Sequence, residues 1–190
     1  MIDRKTMALA AATALVVLLP AAPAHAAKLG GVEMAESQQV AGEELVLNGL
    51  GLRKRAVFKV YVGGLYLQQK QTNPQAILSA DEPRRLIMEF VRKVDADAIS
   101  GGWDDCLKNN VPNAGADVQK GFTKLKAWMS DVKKGDQLIF TYEPGKGVSV
   151  DVTGEARGTV AGKPFADALF SCWIGDVPPS ADFKAGLLGG

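Results

Sequence analysis

The hydrophobic and polar positions of the chain change period several times, and each change marks an element. Glu43–Arg53 (EELVLNGLGLR) alternates imperfectly and is rich in Leu and Val, and Val57–Gln68 (VFKVYVGGLYLQ) is a long β-branched and aromatic run. Both read as strands, joined in a long hairpin that turns at Lys54–Ala56. Asn73–Ser79 (NPQAILS) reads as a short helix, with Asn73 as its cap and Pro74 in its first position. Arg84–Val94 (RRLIMEFVRKV) follows as a third strand.

The period then becomes helical. Asp95–Asn110 and Ala116–Asp131 both carry it, the second through Val118, Phe122, Leu125 and Met129, and Pro112 and Gly115 separate the two. After Gly135 the period of two returns in Asp136–Tyr142, Val148–Val152 and Arg157–Ala161, with turns at Glu143–Gly147 and Gly154. This predicts a three-stranded meander. Lys163–Ile174 is the last clear helix, with Phe165, Leu169 and Cys172 on one stripe, and Asp182–Leu188 forms a short one. Strands, helices, strands and a helix in that order predict one α+β domain, an antiparallel sheet with helices over one face.

The amino-terminal stretch belongs to none of these elements. Arg4 and Lys5 precede an uncharged run, Thr6–Leu19, and Ala24-His25-Ala26 supplies the small residues of a cleavage site. This predicts a signal peptide over residues 1–26, cut before Ala27, with a single domain over 27–190 in the periplasm or outside the cell. The apolar run is short of the roughly 20 residues a spanning helix needs, so no stable transmembrane segment is expected after cleavage.

Losing the leader alters the chemistry that remains. The whole chain has 22 Lys and Arg against 21 Asp and Glu, and removing Asp3, Arg4 and Lys5 leaves the two signs equal. A balanced chain has no basic excess to gather a phosphate backbone, so nucleic acid is not an expected partner. The sole histidine, His25, leaves as well, which excludes an imidazole base and a histidine-ligated zinc site. No metal site, cofactor or catalytic residue is expected. Cys106 and Cys172 would meet an oxidising compartment and can pair there, but each sits in a helical pattern, and two unpaired core fillers are the default reading.

Candidate binding residues come from the hairpin. With the turn at Lys54–Ala56, Arg53 opposes Val57, and the period of two carries that face on to Tyr61, about 13 Å along the strand. Arg53 and Tyr61 then point the same way. A guanidinium with five donors beside a phenol suits a carboxylate. Gly49, Gly51, Gly63 and Gly64 interrupt strand patterns, which calls for a close approach by a ligand or a crossing helix, or for a bulge.

The blocks LNGLGLR (Leu47–Arg53), FKVYVGGLYL (Phe58–Leu67), WDDCLKNN (Trp103–Asn110), KGDQLIFTYEPGKG (Lys134–Gly147) and GKPFADALFSCWIG (Gly162–Gly175) occur in one order over most of the chain. In that arrangement the chain resembles the chalcone isomerase-like proteins, and among them the exported bacterial branch. The resemblance implies an open-faced β-sandwich, a large antiparallel sheet with a layer of helices on one face and a ligand cleft between them. It implies that Arg53 polarises a ligand oxygen, and that Tyr61 stands where true isomerases carry threonine and several lipid-binding relatives carry a hydroxyl-bearing aromatic. Trp103 matches an active-site tyrosine, and Asn110, two helical turns on, matches an asparagine that contacts ligand. The position of the catalytic lysine holds Cys106, followed by Leu107.

With that donor set largely replaced, little chalcone cyclisation is expected. The expected role is non-catalytic binding of a fatty acid or a similar apolar ligand with an anionic head, gripped by Arg53 and Tyr61. Trp103, Leu107, Asn110 and apolar residues of Arg84–Val94 are expected to complete the site. An intramolecular lyase of the chalcone isomerase type and a ligand-free structural or chaperone-like envelope protein remain the alternatives.

Overall fold

A computed structural model describes residues 26–190. The expected leader lies outside the described residues except for Ala26, which opens strand β1 (Ala26–Leu29). This strand pairs with β2 (Val32–Ala35) through the turn Gly30–Gly31, where both glycines have positive φ, 63° and 99°. Two successive residues of that kind make a turn whose twist matches a hairpin, and glycine reaches it without strain.

Seven further strands, β3 (Ser37–Val40), β4 (Glu43–Arg55), β5 (Phe58–Leu67), β6 (Arg84–Phe90), β7 (Gln137–Glu143), β8 (Gly147–Val152) and β9 (Glu155–Val160), lie side by side in chain order. All neighbours are antiparallel. The register stacks Leu65, Leu86, Phe140 and Val150 in one row across four strands, and all four are buried. The outermost strands are short or irregular: β3 has four residues, and β9 is mostly exposed, joined to β8 through a bulge between Val150 and Asp151.

Alternation gives each face its own core. Facing the helices, that row packs under α2 (Ala96–Asn110), α3 (Ala116–Ala127) and α4 (Lys163–Ile174), with Phe122, Phe165 and Trp173 as large buried members. On the opposite face Val62, Tyr66 and Ile87 receive Val32 and Met34 from the β1–β2 hairpin, and the Tyr66 hydroxyl donates to the Ala35 carbonyl at 2.9 Å. The open-faced sheet is thus covered at one end on its second face.

Two short helices complete the fold. In α1 (Pro74–Ser79) Pro74 takes the first turn and the Asn73 side chain accepts from the amides of Gln75 and Ala76, as the sequence predicts. In α5 (Ala181–Leu187) the cap is Ser180. Arg84, only 1 % exposed, fastens α1 and α4 to the sheet: it donates to the carbonyls of Ile77 and Ala80, pairs with Asp167 at 2.5 Å and lies over the rings of Tyr142 and Phe170. A buried cation is tolerated because partners surround it.

Several boundaries differ from those expected. The strand predicted over Arg84–Val94 stops at Phe90, because the chain then turns aside and Val94 bridges Val132 instead. The helix predicted to Asp131 ends at Ala127, where the Trp128 amide closes a tighter turn on Leu125. The hairpin turns at Ala56–Val57, with Ala56 at φ 52°, rather than at Lys54–Ala56. Arg55 therefore pairs with Phe58 and Lys54 with Lys59, and a bulge between Arg53 and Lys54 brings Arg53 opposite Tyr61. The expected shared face is present, through direct pairing rather than at a distance of four residues.

Candidate functional site

Strand glycines position the site. On the helix side of β4 and β5 the small residues Gly49, Gly51 and Gly63 leave a trough in which α5 rests backbone against backbone. A Cβ on Gly49 would stand 2.1 Å from the Gly186 carbonyl, and one on Gly51 2.5 Å from that of Phe183. Of the readings open for the strand glycines, a crossing helix is found at Gly49, Gly51 and Gly63, a bulge also lies beside Gly49, and Gly64 faces Met34 of β2 instead. At the far end of α5, the Asn48 side chain takes the Leu187 carbonyl at 2.7 Å and exchanges two hydrogen bonds with the Gln71 backbone.

Arg53 and Tyr61 follow the glycines on the same face. One Arg53 nitrogen, Nη1, donates to the Pro179 carbonyl at 2.6 Å, which draws the loop before α5 against β4. No carboxylate pairs with Arg53 among the described residues, so its remaining donors are free of a charged partner. Tyr61 is wedged between Phe90 and Phe183, with ring centroids 5.6 and 5.5 Å away. Burial pushes its phenol up to about 12, against the opposing pull of the Arg53 cation and of the Trp173 indole. At neutral pH the hydroxyl is therefore a proton donor and not a base.

These two residues line a cleft of about 350 Å³. Its floor is apolar, with Met88 and Phe90 from β6, Ile99 and Trp103 from α2, and Trp173 from α4. Trp103 and Trp173 meet edge to face at 5.5 Å, and the Trp103 Nε1–H is buried without a hydrogen-bond partner. The rim carries Arg55, Asp105 and the segment Val177–Pro179. Asp105, exposed on the rim, is the single carboxylate among the described lining residues. The polar groups farther in are donors, so a bound molecule must bring the acceptors.

Cys106 and Cys172 form a disulfide, which overturns the reading of two unpaired core fillers. The bond joins α2 to α4 and both residues line the cleft. Sequence separation hid the pairing, since 66 positions part the two residues.

Of the five residues singled out from the sequence, the structure brings Arg53, Tyr61 and Trp103 together at the cleft. Leu107 and Asn110 are not among its lining residues. Leu107 packs half-buried against the helix-side core, and Asn110 binds the Val177 backbone, donating at 3.0 Å and accepting at 2.9 Å. Leu107 lies four positions after Trp103, a little over one helical turn, and packs into the core beside the cleft rather than lining it. Trp173 was missed, although its place one turn after Leu169 on an apolar helix was a usable signal.

Two likenesses place this arrangement among known proteins. A family profile described as chalcone isomerase-like matches residues 26–189. A crystal structure of a fatty-acid binding protein from Arabidopsis thaliana shares the fold, with a TM-score of 0.68 at 17% identity over 86% of this chain and 96% of that one. No curated protein sequence matches the chain.

Proposed function

Since this chain belongs to the chalcone isomerase-like family, whose profile spans the whole described fold, we propose that it is a non-catalytic binding protein for an elongated apolar molecule with an anionic head, a fatty acid being the model ligand. The observation that carries this reading is the unpaired Arg53 cation beside the protonated Tyr61 at an apolar cleft. A carboxylate supplies the acceptors that this set of donors lacks. The likeness to a fatty-acid binding protein supports the class of ligand. At about 350 Å³ the cleft is near the lower end of the range for ligand sites. A short or medium acyl chain fits that size better than a long one.

The test is a titration of the purified protein with decanoate and with its methyl ester. Hydrogen bonds to a charged group contribute about 1.5–3 kcal/mol, so Arg53→Ala is expected to weaken decanoate about 10- to 100-fold. The ester, which lacks the charge, is expected to bind wild type and variant alike. Equal decanoate affinity in wild type and Arg53→Ala would sink the reading.

Export belongs to the same proposal. The Cys106–Cys172 disulfide supports an oxidising destination. Amino-terminal sequencing of protein recovered from the cell envelope is expected to begin at Ala27; an intact Met1 there would remove this part.

A further inference from the structure

The described residues expose three large hydrophobic side chains, Val57 at 85 %, Phe58 at 58 % and Val177 at 50 %. Two of them share one hairpin tip beside the cleft, and the third lies on the cleft rim. Val57 and Phe58 form the tip of the β4–β5 hairpin, directly after Arg55 on the rim, and Val177 lies on the rim itself. The two sides are tied together, because Arg53 holds Pro179. Two adjacent exposed apolar side chains at a hairpin tip, with the third exposed one on the neighbouring rim and no others among the described residues, indicate a surface that meets something other than water.

The same tip is positively charged. Lys54, Arg55, Lys59 and Arg92 form no ion pair among the described residues, and the Arg92 guanidinium lies over the Phe58 ring at 4.7 Å. Lys93, next along, is held by Asp95 and Asp131. In a chain whose signs otherwise balance, four unpaired cations around exposed Val57 and Phe58 are a local concentration. The acidic groups at the mouth are Asp105 on the rim and Asp176 beside Val177.

From this juxtaposition we propose that the hairpin tip docks on an anionic lipid bilayer, Val57 and Phe58 entering the headgroup region while Lys54, Arg55, Lys59 and Arg92 meet the lipid phosphates. An aromatic side chain with a cation stacked on it suits the boundary between headgroup and acyl chain. Neither few exposed apolar groups nor a few charges alone hold a protein at a membrane, and the tip supplies both. Docked so, the cleft mouth faces the bilayer, and an apolar ligand passes between the two without crossing water. That last step rests on the proposed function; the docking does not.

The test is co-sedimentation of the purified protein with vesicles of phosphatidylcholine alone or mixed equally with phosphatidylglycerol. Variants are compared with wild type, so that any leader contributes equally to both. Each basic residue at such a surface contributes about fivefold to partitioning. The mixed vesicles are therefore expected to bind wild type at least tenfold better than phosphatidylcholine alone, and 1 M salt is expected to erase most of that preference. Lys54→Glu with Lys59→Glu is expected to abolish the preference, and Val57→Ser with Phe58→Ser to lower binding to mixed vesicles about tenfold.

None of these four residues lines the cleft, and all are exposed, so melting temperature and decanoate affinity are expected to stay at the wild-type values. Equal binding to both vesicle types, or variants that bind like wild type, overturns the proposal. So does sedimentation showing that the tip joins two copies of the chain while vesicles are ignored. If vesicles bind but decanoate does not, the docking stands and the ligand reading falls.

Discussion

With Cys106 and Cys172 both replaced by serine, the protein is expected to lose about 4 kcal/mol of stability. The bond closes a loop across a separation of 66 positions, and the chain-entropy relation for a loop of that length gives about 4 kcal/mol. For a domain of this size the melting temperature should fall by about 10 °C. Circular dichroism melts of wild type, of wild type with reductant and of the double serine variant check it: the last two should agree and lie well below the first. An oxidised and a reduced protein that melt together would show that helix packing alone sets the separation of α2 and α4. Ligand affinity should fall with stability, because both sulfurs belong to the cleft wall.

Gly51→Val is expected to be comparably severe, by a different route. A Cβ at this position meets the Phe183 carbonyl at 2.5 Å and the Phe183 ring at 2.8 Å. Neither a backbone carbonyl nor a buried ring can step aside, so α5 must lift. Gly186 stands against β4 in the same way, its Cβ position 2.3 Å from the Leu50 carbonyl, which closes the alternative of sliding the helix. Exposing Phe183 and Leu187, both fully buried, costs about 3–5 kcal/mol. Hydrogen exchange should show residues 181–188 losing protection while β6 and β7 keep theirs, and decanoate affinity should drop as Pro179 leaves Arg53. The control is Gly101→Ala in α2, where a Cβ meets nothing within 4 Å; this variant should gain about 0.5–1 kcal/mol. A Gly51→Val protein that melts with wild type would mean that α5 does not seat in this trough.

The reading of the sequence succeeded where a side chain states its own environment. Pro74 after Asn73 marks a helix start by local chemistry, and Lys163–Ile174 marks its helix by an apolar period, so both boundaries agree with the structure. Arg53 and Tyr61 were placed on one face by strand alternation, which survives an error in the turn, because the bulge at Arg53 restores the parity that the misplaced turn had lost. What failed depends on distant parts of the chain. The pairing of Cys106 with Cys172 is set by how α2 and α4 cross, and the turn of Leu107 away from the cleft is set by the rotation of α2 on the sheet. Asn110 gave no sign that its partner would be the backbone of Val177, far along the chain. The β1–β2 hairpin was legible and overlooked: Gly30–Gly31 between Leu29 and Val32 is a two-residue hairpin signal.

A curled sheet that never closes on itself has two rims where a stranger's backbone could join. Here one rim is a four-residue strip and the other is kinked by a bulge and carries the Glu155–Arg157 ion pair. Both discourage the addition of a further strand. The chain thus gains, by blunting its borders, the protection from zippering into aggregates that barrels obtain by closure, and it keeps one side of the layer free to open onto a guest.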